Sequence, residues 1–109
     1  QVYGGVIQGL GFCISEERVI DPDTGLQLTA DLEEYKVPIL SDIPEIEVLF
    51  VDVADTEANS VGSKGLGEPP IIPVAPAIAN AVFDAVGVRP TDLPMTSARV
   101  LALVNESES

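Results

Sequence analysis

Glu68 is the side chain whose setting best suits chemistry. It sits in the run Gly62-Ser63-Lys64-Gly65-Leu66-Gly67-Glu68-Pro69-Pro70, where three glycines let backbone approach a ligand closely and two prolines stiffen the segment after it. A carboxylate just ahead of a helix is pulled two ways. The helix N-terminus favours the ionised form, while apolar neighbours such as Leu66, Ile71 and Ile72 favour the neutral one. That balance suits a general base. The same spacing also suits a helix-capping or merely structural glutamate, and on spacing alone that is the better reading. Neither nucleotide loop fits: Gly62-x-x-Gly65-x-Gly67 has neither the spacing of a phosphate loop nor the dinucleotide Gly-x-Gly-x-x-Gly pattern.

The remaining reactive residue types exclude more than they offer. Histidine is absent, which removes the usual general base and the commonest metal ligand. Cys13 is the only cysteine, so this chain alone builds no disulfide, Cys-ligated iron–sulfur cluster or structural zinc site. Between Gly11, Phe12 and Ile14 it reads as an inert core thiol. Asp21-Pro22-Asp23-Thr24-Gly25 looks superficially like a calcium loop, but Leu26 and Leu32 stand where such a loop needs Gly and Glu. With 5 basic and 18 acidic residues the net charge is −13, which opposes binding to nucleic-acid phosphates or anionic lipid. The pairs Glu16-Glu17 and Glu33-Glu34 read as solvated faces.

The elements that must position Glu68 emerge from periodicity. At 109 residues and 46% hydrophobic content, one compact domain is the ceiling. Val2, Val6, Leu10 and Ile14 recur every fourth residue, predicting a helix over Gln1 to Glu16. Gly4, Gly5, Gly9 and Gly11 each cost that helix about 1 kcal/mol relative to Ala, so tertiary packing must sustain it. Its small-residue face would admit another backbone, a cofactor or a tightly packed sheet. Residues 18–20 and 26–29 flank the Asp21–Gly25 turn as a β-hairpin. Residues 31–44 read as a connecting loop broken by Pro38 and Pro44. Ile46 to Val53 reads as a strand covered on both faces, and an acidic linker, residues 52–59, comes after it.

A second helix is expected over Ile71 to Val86, with Ile78, Val82, Ala85 and Val86 on one face and Gly87 ending it. A third lies within Leu93 to Val104, with Thr96 as N-cap, and residues 105–109 form a disordered polar tail. The expected fold is therefore α+β: a hairpin and a buried strand packed with a glycine-rich N-terminal helix and two C-terminal helices. No stretch approaches the length of a membrane span and no targeting signal is visible. Gln1 in place of Met reads as the start of a fragment or processed piece. The apolar strand would leave exposed surface that favours association.

Several motifs in order carry a resemblance. Gln1-Val2-Tyr3-Gly4-Gly5-Val6-Ile7-Gln8-Gly9-Leu10-Gly11, then Glu16-Glu17, Tyr35-Lys36-Val37-Pro38, Asp42-Ile43-Pro44 and Lys64-Gly65-Leu66-Gly67-Glu68-Pro69-Pro70 span nearly the whole chain. Together they resemble the C-terminal end of the large subunit of molybdenum hydroxylases, the xanthine dehydrogenase and aldehyde oxidase family. The resemblance implies that Glu68 stands beside molybdenum as the general base that activates a metal-bound hydroxyl, in oxidation of aldehydes or N-heterocycles with water-derived oxygen. It implies that Gln1 contacts the molybdopterin cofactor, with or without the added nucleotide of the dinucleotide form, and that Lys64, Gly65, Leu66 and Gly67 lie near it.

No protein ligand to the metal is implied. A 2Fe-2S cluster and FAD are implied in other domains or subunits, which with the rest of the large subunit would be the partners. Residues 1–104 would then be the C-terminal part of a cofactor-binding domain, cytoplasmic or periplasmic, and inactive when isolated. Because a bound cation makes a hydroxyl acidic, a positioned carboxylate suffices as base without histidine. The alternative is a non-catalytic acidic interaction domain descended from that segment, and the sequence preceding Gln1 discriminates the two.

Overall fold

The computed structural model describes residues 1–108. Among the described residues three α-helices carry the fold: α1 (Val2–Ile14), α2 (Val74–Val86) and α3 (Ser97–Ser107), with a single 3₁₀ turn at Leu40–Asp42 between the first two. The prediction for α1 holds, but the buried face differs from the expected stripe. Gly5, Gly9, Gly11 and Cys13 are buried, whereas Val2, Val6 and Leu10 are half-buried and Ile14 is at the surface.

The glycines explain this, because they let α2 come close. A Cβ built at Gly5 would lie 2.7 Å from Pro70 Cβ, and one at Gly9 would lie 2.7 Å from Val74 Cβ. Of the three occupants the small-residue face could admit, another backbone segment is seated there. The close seam replaces the helix stability that glycine forfeits.

The core is small. Cys13, Val74 and Met95 are buried together, with Val6, Ile78, Ala79 and Val100 half-buried around them. Met95 N–H donates to the Cys13 carbonyl, which ties the approach to α3 onto the end of α1. Burial pushes the Cys13 thiol's pKa up, consistent with an inert core residue. Thr96 caps α3 as expected, its hydroxyl accepting from Arg99 N–H at 3.4 Å. Gly87 ends α2 with φ +74°, donating its N–H to Phe83 O at 2.8 Å. On the face predicted for α2, Ile78 and Val82 turn inward while Ala85 and Val86 are exposed. Helix α3 runs through Ser107, past the Val104 end predicted for it and into the segment expected to be a disordered tail, of which Ser109 lies outside the described residues.

Both β expectations are corrected, since no strand forms among the described residues. The hairpin reduces to one antiparallel bridge, Ile20 to Gln27. Asp21 accepts the N–H groups of Asp23 and Thr24, and Gly25 takes φ +71°, so the turn chemistry is as expected. What is missing is a third strand or an apolar surface for a ribbon whose Leu26 and Leu28 stay exposed, and a two-stranded ribbon alone is marginal. Residues 46–53 take no regular secondary structure and their main chain bonds no other segment among the described residues, with Leu49, Phe50 and Val51 each more than 70% exposed (81%, 73% and 88%). A strand requires a neighbour for its N–H and C=O groups, and nothing in the described residues supplies one.

The compactness that the sequence allows as a ceiling is not reached. The radius of gyration is 18.0 Å, against about 13 Å for a compact chain of this length. The acidic pair Glu16-Glu17 is also engaged rather than simply solvated. Glu17 pairs with Arg99 of α3, and Glu16 bonds the Tyr35 phenol, holding the phenol's pKa above its ordinary value.

Candidate functional site

The candidate site is a strap, residues 64–67, fastened at both ends. Upstream, Asn59 folds residues 59–63 into a turn. Its Oδ1 accepts the N–H groups of Val61 and Ser63, both at 3.1 Å, and its Nδ2 donates to Ser63 O at 2.6 Å. Gly62 takes φ +68° and donates to Asn59 O at 3.1 Å, a left-handed position that glycine occupies at little cost. Asp55 supports the same turn. One carboxylate oxygen accepts Glu57 N–H at 3.2 Å and the other meets Lys64 Nζ at 3.0 Å.

Downstream, Gln1 Nε2 donates to Gly67 O at 2.9 Å across 66 positions of sequence. Helix packing makes that contact possible. The Gln1 carbonyl accepts Gly5 N–H at 3.0 Å to begin α1, and Gly5 receives Pro70 in the seam. The first turn of α1 and the Gly67–Pro70 corner are thus held at one end of the α1–α2 pair.

Glu68 lies on that corner. Its carbonyl accepts Ile71 N–H at 3.0 Å, and its exposed carboxylate has no hydrogen-bond or ion-pair partner among the described residues. Helix α2 begins at Val74 with Pro73 as N-cap, not at Ile71 as predicted. The prolines account for the delay. Each disfavours helical geometry in the residue before it, here Glu68, Pro69 and Ile72. Pro76 is tolerated because it falls in the first turn, where its missing N–H has no helical partner to lose. The Glu68 side chain therefore caps no helix among the described residues.

Of the residues singled out from sequence, Gln1 and Gly67 are brought into contact and Glu68 adjoins them. Lys64 is turned aside to Asp55. Gly65 and Leu66 form the exposed middle of the strap, and a Cβ built at Gly65 or Gly67 meets nothing within 4 Å. In sequence, Asn59 and Asp55 read only as part of an acidic linker. Their signal there is turn chemistry, an Asn three residues before a Gly and an Asp at a loop start.

The larger clefts lie elsewhere. One of about 800 Å³ is lined by Leu10, Ile14, Pro38, Met95 and Val100, and another of about 340 Å³ by Val6, Ile46, Pro73 and Ala77. Neither is lined by the strap. No group of three or more acidic or Cys side chains able to hold a metal occurs among the described residues, nor is any helix long and apolar enough to cross a membrane.

Comparison with known proteins bears on this geometry. Residues 1–44 match the family model of the molybdopterin cofactor-binding domain. The chain is 44% identical over 100 residues to a xanthine dehydrogenase molybdenum-binding subunit of Escherichia coli O157:H7, covering 92% of the chain and 13% of that protein. It is 39% identical over 101 residues to the aldehyde oxidoreductase molybdenum-binding subunit PaoC of Escherichia coli K12, covering 93% and 14%. Its fold is similar to part of quinoline 2-oxidoreductase from Pseudomonas putida 86, with TM-score 0.82 and 28% identity over 96% of the chain and 14% of that protein. The chain thus spans about one seventh of the length of these relatives.

Proposed function

The chain belongs to the xanthine dehydrogenase and aldehyde oxidoreductase family of molybdenum-binding subunits, of which it is a short segment, and on that premise we propose that it supplies the general base and one wall of the cofactor site of a molybdenum hydroxylase. The observation that carries this reading is the Gln1 to Gly67 hydrogen bond. It joins two sequence-distant motifs beside a carboxylate with no partner among the described residues.

The residues fit a pterin group. Gln1 has used one amide N–H on Gly67 and keeps its Oε1 and second N–H for a heterocycle edge. The backbone N–H groups of Gly65, Leu66 and Gly67 have no acceptor among the described residues, and the strap's glycines leave its face open to close approach. When bound, the cofactor supplies the metal at which an electron-poor substrate carbon is oxidised with water-derived oxygen.

This chain's own part is proton handling and placement. A Glu68 carboxylate oxygen accepts the proton of the water-derived hydroxyl, a task for which no histidine is needed. Gln1 and the strap orient the cofactor relative to that oxygen. Aldehydes or N-heterocycles are the substrate class. The molybdopterin, with or without the added nucleotide of the dinucleotide form, is held jointly with the remainder of the subunit, and iron–sulfur and flavin groups in other domains or subunits take the electrons. Activity belongs to the complete subunit, since the strap here is one exposed wall without a pocket around it.

Glu68→Gln in the complete enzyme tests the assignment. Retained metal and pterin with substrate turnover lowered at least about a hundredfold is expected, because general acid–base groups contribute on that scale. Turnover within a factor of a few of the unaltered enzyme would refute it.

A further inference from the structure

The strap is anchored twice, and only the downstream anchor involves Gln1 and the Gly-Glu-Pro-Pro corner. At the upstream anchor a single side chain, Asn59, holds both main-chain groups of Ser63: Oδ1 accepts its N–H at 3.1 Å and Nδ2 donates to its carbonyl at 2.6 Å. At the downstream anchor Gln1 holds the Gly67 carbonyl at 2.9 Å. Between them the main chain of residues 64–66 makes no hydrogen bond among the described residues, and two of the strap's four residues are glycine.

From these contacts we propose that Asn59 is a positioning residue for Glu68. It fixes the upstream end of the strap so that the carboxylate, one residue beyond the Gln1 anchor, is delivered to a defined place. The proposal rests on the reading of Glu68 as general base.

The physical case is one of chain freedom. Four residues reach at most about 14 Å when fully extended, so a strap pinned at both ends has few conformations even with glycine inside it. Released at Ser63, the glycine-rich strap gains conformations that spread Glu68 over a range of positions. Proton transfer depends on sub-ångström placement, and a displacement of about 1 Å can cost up to a hundredfold in rate. Asparagine is suited to the anchor because one short side chain carries both an acceptor and a donor. Aspartate keeps the acceptor and loses the donor to Ser63 O, and alanine loses both. Asp55 reinforces the same end through its ion pair with Lys64, but that pair is solvent-exposed and contributes little by itself.

The test uses the complete molybdenum-binding subunit in its loaded assembly, with N59A and N59D compared with the unaltered enzyme and E68Q. For N59A the expected result is kcat lowered about tenfold or more with KM changed less than twofold, metal content unchanged, and faster amide exchange at Val61 and Ser63, whose N–H groups Asn59 accepts. N59D is expected to fall between N59A and the unaltered enzyme in both kcat and exchange, because the two acceptor bonds persist. The proposal is overturned if N59A leaves kcat unchanged, or if kcat falls only in proportion to lost metal. It is also overturned if N59D is no better than N59A in either readout. E68Q separates the two levels of inference. Near-normal turnover in E68Q removes the general-base reading itself, whereas an inactive E68Q beside a normal N59A removes only the role given to Asn59.

Discussion

The α1–α2 seam and the run from Ile46 to Val53 are both rich in apolar residues, yet one is finished within the chain and the other is not. In the seam, Gly5 and Gly9 let Pro70 and Val74 approach closely, and helices satisfy their own backbone, so two short segments complete each other. In the run, Leu49, Phe50 and Val51 remain exposed and the main chain lacks a partner strand. Helix packing needs only a complementary face, whereas strand burial needs neighbours at the edge as well as on the face. That contrast also places the candidate site. The strap hangs from the finished seam, so Gln1, Gly67 and Glu68 come together here even though the surrounding pocket does not.

Phe50→Asp should have the largest effect on this comparison. In the complete subunit, where we expect the run to be covered, replacing a buried Phe costs about 3–5 kcal/mol before the added charge is counted. The readout is loss of assembled, metal-containing enzyme. In the isolated chain the same change should leave the exchange of α1 amides within about 0.5 kcal/mol of its original value. Equal tolerance in both settings would erase the distinction between the two regions.

The seam itself is sharpened by two alanines. Gly9→Ala gains about 1 kcal/mol of helix propensity but forces Val74 outward at a cost of about 1–3 kcal/mol, for a net loss of about 1 kcal/mol. Gly4→Ala meets nothing within 4 Å and should show only the gain. Exchange of α1 amides in the complete subunit reads both, and parallel behaviour of the two variants would mean the seam is not close-packed.

The smallest effect concerns the open region alone. The Thr24 and Asp23 N–H groups bonded to the Asp21 carboxylate hold its pKa below its ordinary value. A depressed carboxylate contributes turn stability that is fully present above the ordinary pKa and is lost as pH falls through the depressed one. Amide shifts of Asp23 and Thr24 should therefore move only at acid pH, while seam amides stay still. A Thr24 amide that titrated at or above the ordinary carboxylate range would contradict the bond.

Much of the helical framework is legible in the sequence because its determinants are local. Thr96 and Gly87 are terminal signals contained within one turn, and the α1 repeat is visible by eye. The α2 start is not legible in the same way, because apolar periodicity extends back to Ile71 while three prolines veto helix geometry there. The strand fails for a different reason, since β-rich composition describes a residue's preference but cannot supply its partner. At the candidate site, Glu68 and Gln1 stand out through ordered motifs. Asn59 does not, because its role depends on which main-chain groups fall within reach of its amide.

The sequence by itself determined the chemistry available, one carboxylate in a glycine–proline setting with no histidine and one inert thiol, and that three helices form, with the caps at Thr96 and Gly87. Only the tertiary structure decided that Gln1 and Gly67 meet across 66 positions, that the Glu68 side chain has no partner among the described residues instead of capping a helix, and that Asn59 ties down the strap. The physical reason is that helix signals act over a few residues, whereas those contacts depend on how closely two helices pack, which the small faces of Gly5 and Gly9 permit.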